Sequence, residues 1–368
     1  MNLTLVINSL GAGGAERVLS IMANYWAEKK WKITLLTFDD GREAPFYELD
    51  NHINHIPLNI ASNSFDFLAA IGNNVKRLKR LRSAMSHSKP NAVISFMDKT
   101  NVLTLLATYQ LKIPILISER VDTSAYKISN SWEMLRRLSY PLADKLVLQT
   151  QAAKENFPLA RQLDISIIPN PILAPPDSRE ILVRQLLHKP SLIAMGRLTA
   201  QKGFDLLLQA FNKIQKSFPE WKLIILGEGE LRQELESLRD RLGLRDYVNF
   251  IGKVKNPYEF FLQADIFVLA SRFEGFPNAL CEAMACGLPV ISTDCANGPR
   301  EIIRNGIDGI LVPNQDVSAL AEAMERLMAD ERERIRLATR AKEITERFSL
   351  EKVMLMWETL LLECVGGD

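Results

Sequence analysis

The chain has 368 residues, 47% of them apolar, and its 45 Lys and Arg against 44 Asp and Glu leave a net charge of +1. That length holds two domains with a core each, and the balanced charge argues against a protein that binds nucleic acid through bulk electrostatics. No apolar run reaches the ~18 residues that cross a bilayer, and Met1 to Asn8 lack the basic start and cleavage site of an export signal, so a cytoplasmic protein is expected.

Short apolar runs alternate with helix-length amphipathic segments. Leu3–Asn8, Lys32–Thr37, Ala92–Phe96, Ile113–Ile117, Lys145–Gln149 and Ile165–Ile168 predict strands of a buried parallel sheet built from βαβ units. After the first, Gly11-Ala12-Gly13-Gly14-Ala15-Glu16-Arg17 opens a helix. A dinucleotide site competes for this loop, with Asp39 and Asp40 as its acidic partner, but Glu16 falls where that fingerprint needs its third glycine. His52 and His55 alternate with Ile53 and Ile56, which reads as a strand rather than a metal site.

Phe65–His87 predicts a basic amphipathic helix, with Lys76, Arg77, Lys79, Arg80 and Arg82 beside a stripe of Phe67, Leu68, Ile71, Val75, Leu78, Leu81 and Met85. Two uses compete: an ordinary packed helix with a solvated basic face, or a helix lying on an anionic surface, where each cation contributes about 1 kcal/mol. Further on, Phe96–Asn101 ends a strand and offers Asp98 to an acceptor, and Ile115-Leu116-Ile117 runs into Ser118-Glu119-Arg120.

The proline-rich break Pro169–Asp177 then stops regular structure and reads as a hinge. The alternation restarts with Ser191–Met195, Lys222–Leu226, Val248–Ile251, Ile266–Ala270, Pro289–Ser292 and Gly309–Val312. The stretch from Phe348 through Trp357 to Leu362 begins with Ser349 and Glu351 and carries an apolar stripe, predicting a last helix. Cys281, Cys286, Cys295 and Cys364 fit no paired ligand spacing and read as reduced structural thiols.

Glu274-Gly275-Phe276-Pro277-Asn278-Ala279-Leu280-Cys281-Glu282 is the most informative stretch. Gly275 and Pro277 force a turn, and Asn278–Cys286 reads as a helix ended by Gly287. The N–H groups of Phe276, Asn278, Ala279 and Leu280, set around the turn at Pro277, mark a helix start, which cradles a diphosphate. Glu282 lies one turn beyond Asn278, roughly 6 Å along the axis, about the offset from a diphosphate to ribose hydroxyls. Glu274, on the loop, faces the other way. One acid then holds each end of a nucleotide sugar.

This pair of glutamates, together with Gly196-Arg197-Leu198-Thr199-Ala200-Gln201-Lys202-Gly203, Gly227-Glu228-Gly229 and Asn297-Gly298-Pro299-Arg300-Glu301-Ile302-Ile303, resembles the retaining glycosyltransferases of family 4 (glycosyl transferases group 1) over nearly the whole chain. Around Gly13–Arg17, Ser118–Arg120 and Gly298–Ile303 it is similar to bacterial enzymes that add N-acetylgalactosamine to lipid-linked oligosaccharides. The resemblance implies an α/β GT-B fold, two doubly wound Rossmann-like lobes facing a cleft. Residues 1–172 would be the acceptor lobe, 173–345 the donor lobe, and 346–368 a helix crossing back to the first lobe.

The implied reaction moves a hexose or N-acetylhexosamine from a UDP-sugar to a saccharide acceptor carried on a polyprenyl diphosphate. Glu274, Arg197 and Lys202 would be catalytic, the two cations meeting the donor diphosphate, with Glu282, Gly227 and the helix start also binding donor. Gly13 and Gly14 would let backbone N–H groups approach the phosphate or the reacting sugar. Many members carry a histidine after a middle strand of the first lobe. Here it is absent, leaving Ser118, Glu119 and Arg120 as candidates to hold the sugar or the acceptor. No Asp-x-Asp occurs, so no metal cofactor is expected. The five cations of the basic helix gain a second use on the lipid's pyrophosphate or on head groups, as a peripheral contact at the inner face of the plasma membrane. A UDP-N-acetylglucosamine 2-epimerase of the same shape is disfavoured by the Glu-x7-Glu element. A catalytically dead nucleotide-sugar-binding subunit is disfavoured by the complete set of Arg197, Lys202, Glu274 and Glu282.

Overall fold

A computed structural model describes residues 1–60, 67–122, 125–126, 128–176, 187–295 and 297–366, with the side chains of 67–74 left aside. The expected helix start at Phe65, the end of the proline-rich break at Asp177 and the side chains of Phe67, Leu68 and Ile71 lie outside the described residues. The chain divides into two compact units, one of Met1–Pro171 with Glu351–Asp368, the other of Ile172–Leu350.

The first unit is built on seven parallel strands, β1 (Asn2–Ile7), β2 (Lys32–Thr37), β3 (Asn54–Pro57), β4 (Ala92–Phe96), β5 (Ile115–Ser118), β6 (Lys145–Leu148) and β7 (Ile165–Ile167), in the order 3-2-1-4-5-6-7. Its helices are α1 (Gly14–Glu28), α2 (Phe67–Ser88), α3 (Asp98–Thr108), α4 (Asn130–Ser139) and the short α5 (Gln151–Glu155). Because helices cover the sheet, the strands are apolar almost throughout: Leu3, Leu5, Val6 and Ile7 of β1 are all buried. The strand order reverses between β1 and β4, and such a reversal leaves a crevice at the carboxyl ends of those two strands.

The basic helix α2 is where sequence pattern and structure part. Its stripe of Leu78, Leu81 and Met85 is consumed by the core of this unit, beside Val6, Leu36 and Val93. The arginines reach neighbouring loop carbonyls: Arg77 Nε donates to Ile60 O at 2.7 Å, Arg80 Nη1 to Asn59 O at 3.0 Å, and Arg82 Nη1 to Tyr109 O at 2.8 Å. Leu78, Leu81 and Met85 are thus core positions, while Val75 of the same stripe is 47% exposed and the arginines are tethered to loop carbonyls with their charge intact. Burying Leu81 and Met85 removes apolar surface from water, and loop carbonyls need donors. Lys76, Lys79 and Arg80 are exposed.

The second unit has six parallel strands, β8 (Ser191–Met195), β9 (Lys222–Leu226), β10 (Val248–Gly252), β11 (Ile266–Leu269), β12 (Val290–Asp294) and β13 (Ile310–Pro313), in the order 10-9-8-11-12-13. Around them lie α6 (Phe204–Ile214), α7 (Arg232–Arg241), α8 (Tyr258–Phe261), α9 (Asn278–Ala285), α10 (Pro299–Ile302), α11 (Val317–Ala329), α12 (Glu331–Ala341) and α13 (Ile344–Arg347). Alternate strand residues feed two cores. Leu223 and Ile225 face one side with Phe211 and Met324, while Ile224 and Leu226 face the other with Leu280 and Met284. β12 begins at Val290 rather than Pro289, since proline has no N–H for the ladder.

The last helix, α14 (Leu350–Gly366), belongs to the first unit for nearly all its length. Trp357 packs with its ring centroid 6.4 Å from that of Phe96, and Glu358 pairs with Lys29 at 2.9 Å.

Candidate active site

In the second unit the strand order reverses between β8 and β11, so the loops after those strands share one crevice. The first loop carries Gly196–Lys202 and the second carries Ser271–Glu274. Lys202 Nζ donates to Glu274 Oε1 at 2.6 Å, and Ser271 Oγ donates to the same oxygen at 2.6 Å. Glu274 is only 4% exposed, and the two bonds on one oxygen fix the orientation of its carboxyl group. Ser271 carried no motif signal in the sequence; its role appears only once β11 places it over Glu274.

Glycines bring these loops together. Gly227, after β9, has φ +135°, and a Cβ there would lie 1.9 Å from Gly196 O, so the two loops touch backbone to backbone. Gly227 thus packs the site. Gly298, at φ +80°, lies against the Gly275 turn, where a Cβ would come within 2.8 Å of Gly275 O and of Pro277 Cδ. At Gly196 a side chain would press on the aliphatic stem of Lys202 at 3.1 Å.

Pro277 caps α9, and its carbonyl accepts from the amides of Leu280 at 3.1 Å and Cys281 at 3.3 Å. The side chains of Phe276 and Leu280 point into the core, so the helix start is available only through its backbone at these positions. Phe276 packs edge-on against Phe348, with centroids 5.6 Å apart, and Leu280 is fully buried in the core. Apolar burial claims both side chains, and the Leu280 amide is spent on Pro277 O, so the amides at the very start of the helix are the ones without an intrahelical acceptor. Asn278 and Ala279 are half-buried in the first turn, and Glu282, 5% exposed, lies one turn further on the same helix. Arg197 is exposed, and its side chain has no ion pair among the described residues, while Lys202 is held on Glu274. The Cys295 thiol is pushed up to about 12 by burial and then by the charge of Glu274, which places it in electrostatic reach of this cluster.

In the first unit α1 starts at Gly14 with Gly13 as its cap. A Cβ on Gly13 would lie 2.0 Å from Glu16 Oε2, so this glutamate folds back over the helix start in the manner of a capping box. The loop therefore presents a carboxylate as well as amides.

The ends of β4 and β5 hold a buried polar group of residues. Met97 closes β4 at φ 79°, a conformation that costs a non-glycine residue about 1–3 kcal/mol, and its amide donates to Ser118 O at 3.0 Å. Asp98 opens α3. Glu119 is 1% exposed and accepts from the Tyr140 hydroxyl, which in turn accepts from Asn101 Nδ2 at 3.3 Å. Burial first, and then the charge of Asp98, push Glu119 up to about 7. Arg120 turns the other way, its guanidinium 3.7 Å from the Phe96 ring centroid and its Nη1 donating to Asn170 Oδ1 at 2.5 Å. Glu119 and Arg120 do not pair with one another among the described residues.

Two such Rossmann-like units, one with a glutamate–lysine cluster at its switch point, define the class. The family model of Glycosyltransferase Family 4 matches residues 12–172, and that of Glycosyl transferases group 1 matches residues 179–344. The chain belongs to these family 4 glycosyltransferases and has their GT-B fold. It is 32% identical, over 99% of both chains, to a Campylobacter jejuni enzyme, GalNAc-alpha-(1->4)-GalNAc-alpha-(1->3)-diNAcBac-PP-undecaprenol alpha-1,4-N-acetyl-D-galactosaminyltransferase. A second C. jejuni relative, N-acetylgalactosamine-N,N'-diacetylbacillosaminyl-diphospho-undecaprenol 4-alpha-N-acetylgalactosaminyltransferase, is 27% identical over 95% of this chain and 96% of its own. Among solved structures, Anabaena HepE in complex with UDP and glucose superposes with a TM-score of 0.82 at 21% identity, covering 98% of this chain and 99% of that one.

Proposed function

We propose that this glycosyltransferase moves an N-acetylhexosamine, N-acetylgalactosamine foremost, from a UDP-sugar to a saccharide carried on a polyprenyl diphosphate, with retention at the anomeric carbon and without a resident metal ion. The observation that carries the reading is the Lys202–Glu274–Ser271 cluster at the switch point of the second unit, on the loop that opens α9. The substrates named for the two Campylobacter relatives support the choice of sugar and acceptor.

In this reading Glu282 holds the ribose and Glu274 holds a sugar hydroxyl. Lys202 and Arg197, with the amides at the start of α9, neutralise the departing diphosphate. The bond from the anomeric carbon to the phosphate oxygen breaks as the acceptor oxygen bonds the same face, and the acceptor's proton passes to the departing phosphate oxygen. The protein supplies position and charge stabilisation rather than a base.

The test is a panel of UDP-sugars offered with polyprenyl-diphosphate-linked and soluble acceptors, with product anomers read by NMR. Transfer with retention is expected, unaffected by EDTA. Lys202→Ala should lower kcat/KM by about 10²–10³-fold, the scale of losing one charge-stabilising donor. A strict divalent-metal requirement overturns the metal-free mechanism. Sugar isomerised without acceptor would mark an epimerase.

A further inference from the structure

Arg120 follows β5 and is held in three ways. Its guanidinium lies on the face of Phe96 at 3.7 Å, Trp357 stands 6.0 Å away, and Nη1 is tied to Asn170 Oδ1 at 2.5 Å. Phe96, Trp357 and Asn170 are themselves buried. Stack and hydrogen bond together set both the plane of the guanidinium and its rotation within that plane. What remains is the edge formed by Nε and Nη2. Both nitrogens are buried, and neither has an acceptor among the described residues. No carboxylate among those residues makes an ion pair with Arg120, and burial alone pulls the group down to about 9.

Elsewhere in the protein that same edge is used on carboxylates. Arg300 gives Nε and Nη2 to the two oxygens of Asp294 at 3.0 and 2.5 Å, and Arg304 Nε meets Asp308 at 2.6 Å. The edge matches the oxygen spacing of a planar or tetrahedral oxyanion, which it binds with two parallel bonds. A cation whose donor nitrogens are buried without a counter-charge costs folding free energy, and here Phe96, Trp357 and Asn170 fix the group while its Nε–Nη2 edge meets no acceptor among the described residues.

We propose that the Nε–Nη2 edge of Arg120 receives a phosphate group of a substrate. The choice of phosphate over carboxylate rests on the proposed reaction, in which donor and acceptor both carry a diphosphate. Either one supplies the same chemistry. Since both nitrogens are covered here, entry of the anion requires local opening around Arg120.

The direct test uses inorganic pyrophosphate and calorimetry on full-length protein carrying Arg197→Ala and Lys202→Ala, which removes the donor-side cations. Residual binding is expected, and adding Arg120→Gln should weaken it at least ~10-fold, with Arg120→Lys intermediate because it keeps the charge and loses the edge. In the otherwise wild-type enzyme, the source is read from KM. A rise for the polyprenyl-diphosphate acceptor, with none for a phosphate-free glycoside of the same saccharide, assigns the acceptor's diphosphate. A rise for the UDP-sugar assigns the donor's. Arg120→Met should melt no lower than wild type, since it removes a buried unpaired charge, yet lose the thermal shift that pyrophosphate induces.

Pyrophosphate binding indifferent to Arg120, or acetate bound as well as pyrophosphate, overturns the proposal. So does a lowered Tm in Arg120→Met with every KM unchanged, the signature of a structural prop. If no transfer is found while the pyrophosphate arm responds, the transferase reading fails and the anion site stands.

Discussion

At the scale of the residue, Glu119 sets a pH dependence whose sign is fixed. Its ordinary value is 4.5 and its folded value about 7, so between those limits the folded state holds a proton that the unfolded state has released. Stability is then unaffected by this group below 4.5 and declines as pH rises through the window, by on the order of 3 kcal/mol above pH 7. Glu119→Gln keeps the hydrogen-bond acceptor for Tyr140 and removes the ionisation. Urea unfolding of both proteins at pH 5 and pH 8 should show the wild type losing stability across that interval relative to the variant; parallel behaviour would place the proton elsewhere. Asp98→Asn should narrow the window, because the Asp98 charge is the second cause of the shift. The sequence showed Ser118-Glu119-Arg120 following a strand, but nothing local indicated that Glu119 would meet Tyr140, 21 residues on, or that Arg120 would meet Asn170, 50 residues on.

Among elements, the loops after β8, β9 and β11 act as one unit. Gly227→Ala combines a disfavoured φ of +135° with a methyl 1.9 Å from Gly196 O, and the Gly196 loop carries Lys202 to Glu274. The substitution should therefore lower the unfolding free energy by about 3 kcal/mol, with an unchanged denaturant slope, and weaken UDP binding in the same protein. Unaltered UDP affinity would show that the glycine packs the loops without setting the position of Lys202. The motifs themselves were legible because Gly, Pro and Glu at fixed offsets constrain backbone locally. The direction of side chains was not. Phe276 and Leu280 sit inside the motif, yet their side chains serve the core, and the stripe of α2 reads equally as packed or membrane-facing until its Leu78, Leu81 and Met85 are placed against the core. A helical stripe records only that one face is apolar; what covers that face is a matter of packing.

Over the whole molecule, the chain returns in its last helix to the unit in which it began. Trp357 is 1% exposed against Phe96, so Trp357→Ala should destabilise the first unit by about 3–5 kcal/mol while leaving the second close to wild type. Calorimetry should resolve a transition moved down in temperature beside one that is nearly unmoved. A single transition shifting as a whole would mean that the two units unfold together. No described helix is long and apolar enough to cross a membrane.

Strand and helix alternation, the glycine turns and the spacing of Glu274 and Glu282 were determined by the sequence itself, since each rests on local backbone preference or on hydrophobic period. Tertiary structure alone decided which charges meet. The Lys202–Glu274 bond joins residues 72 apart, and it exists because β8 and β11 lie side by side at a reversal of strand order. Likewise the raised Glu119 and the unfilled edge of Arg120 follow from desolvation, which depends on what surrounds a group in space and leaves no mark on its neighbours in sequence.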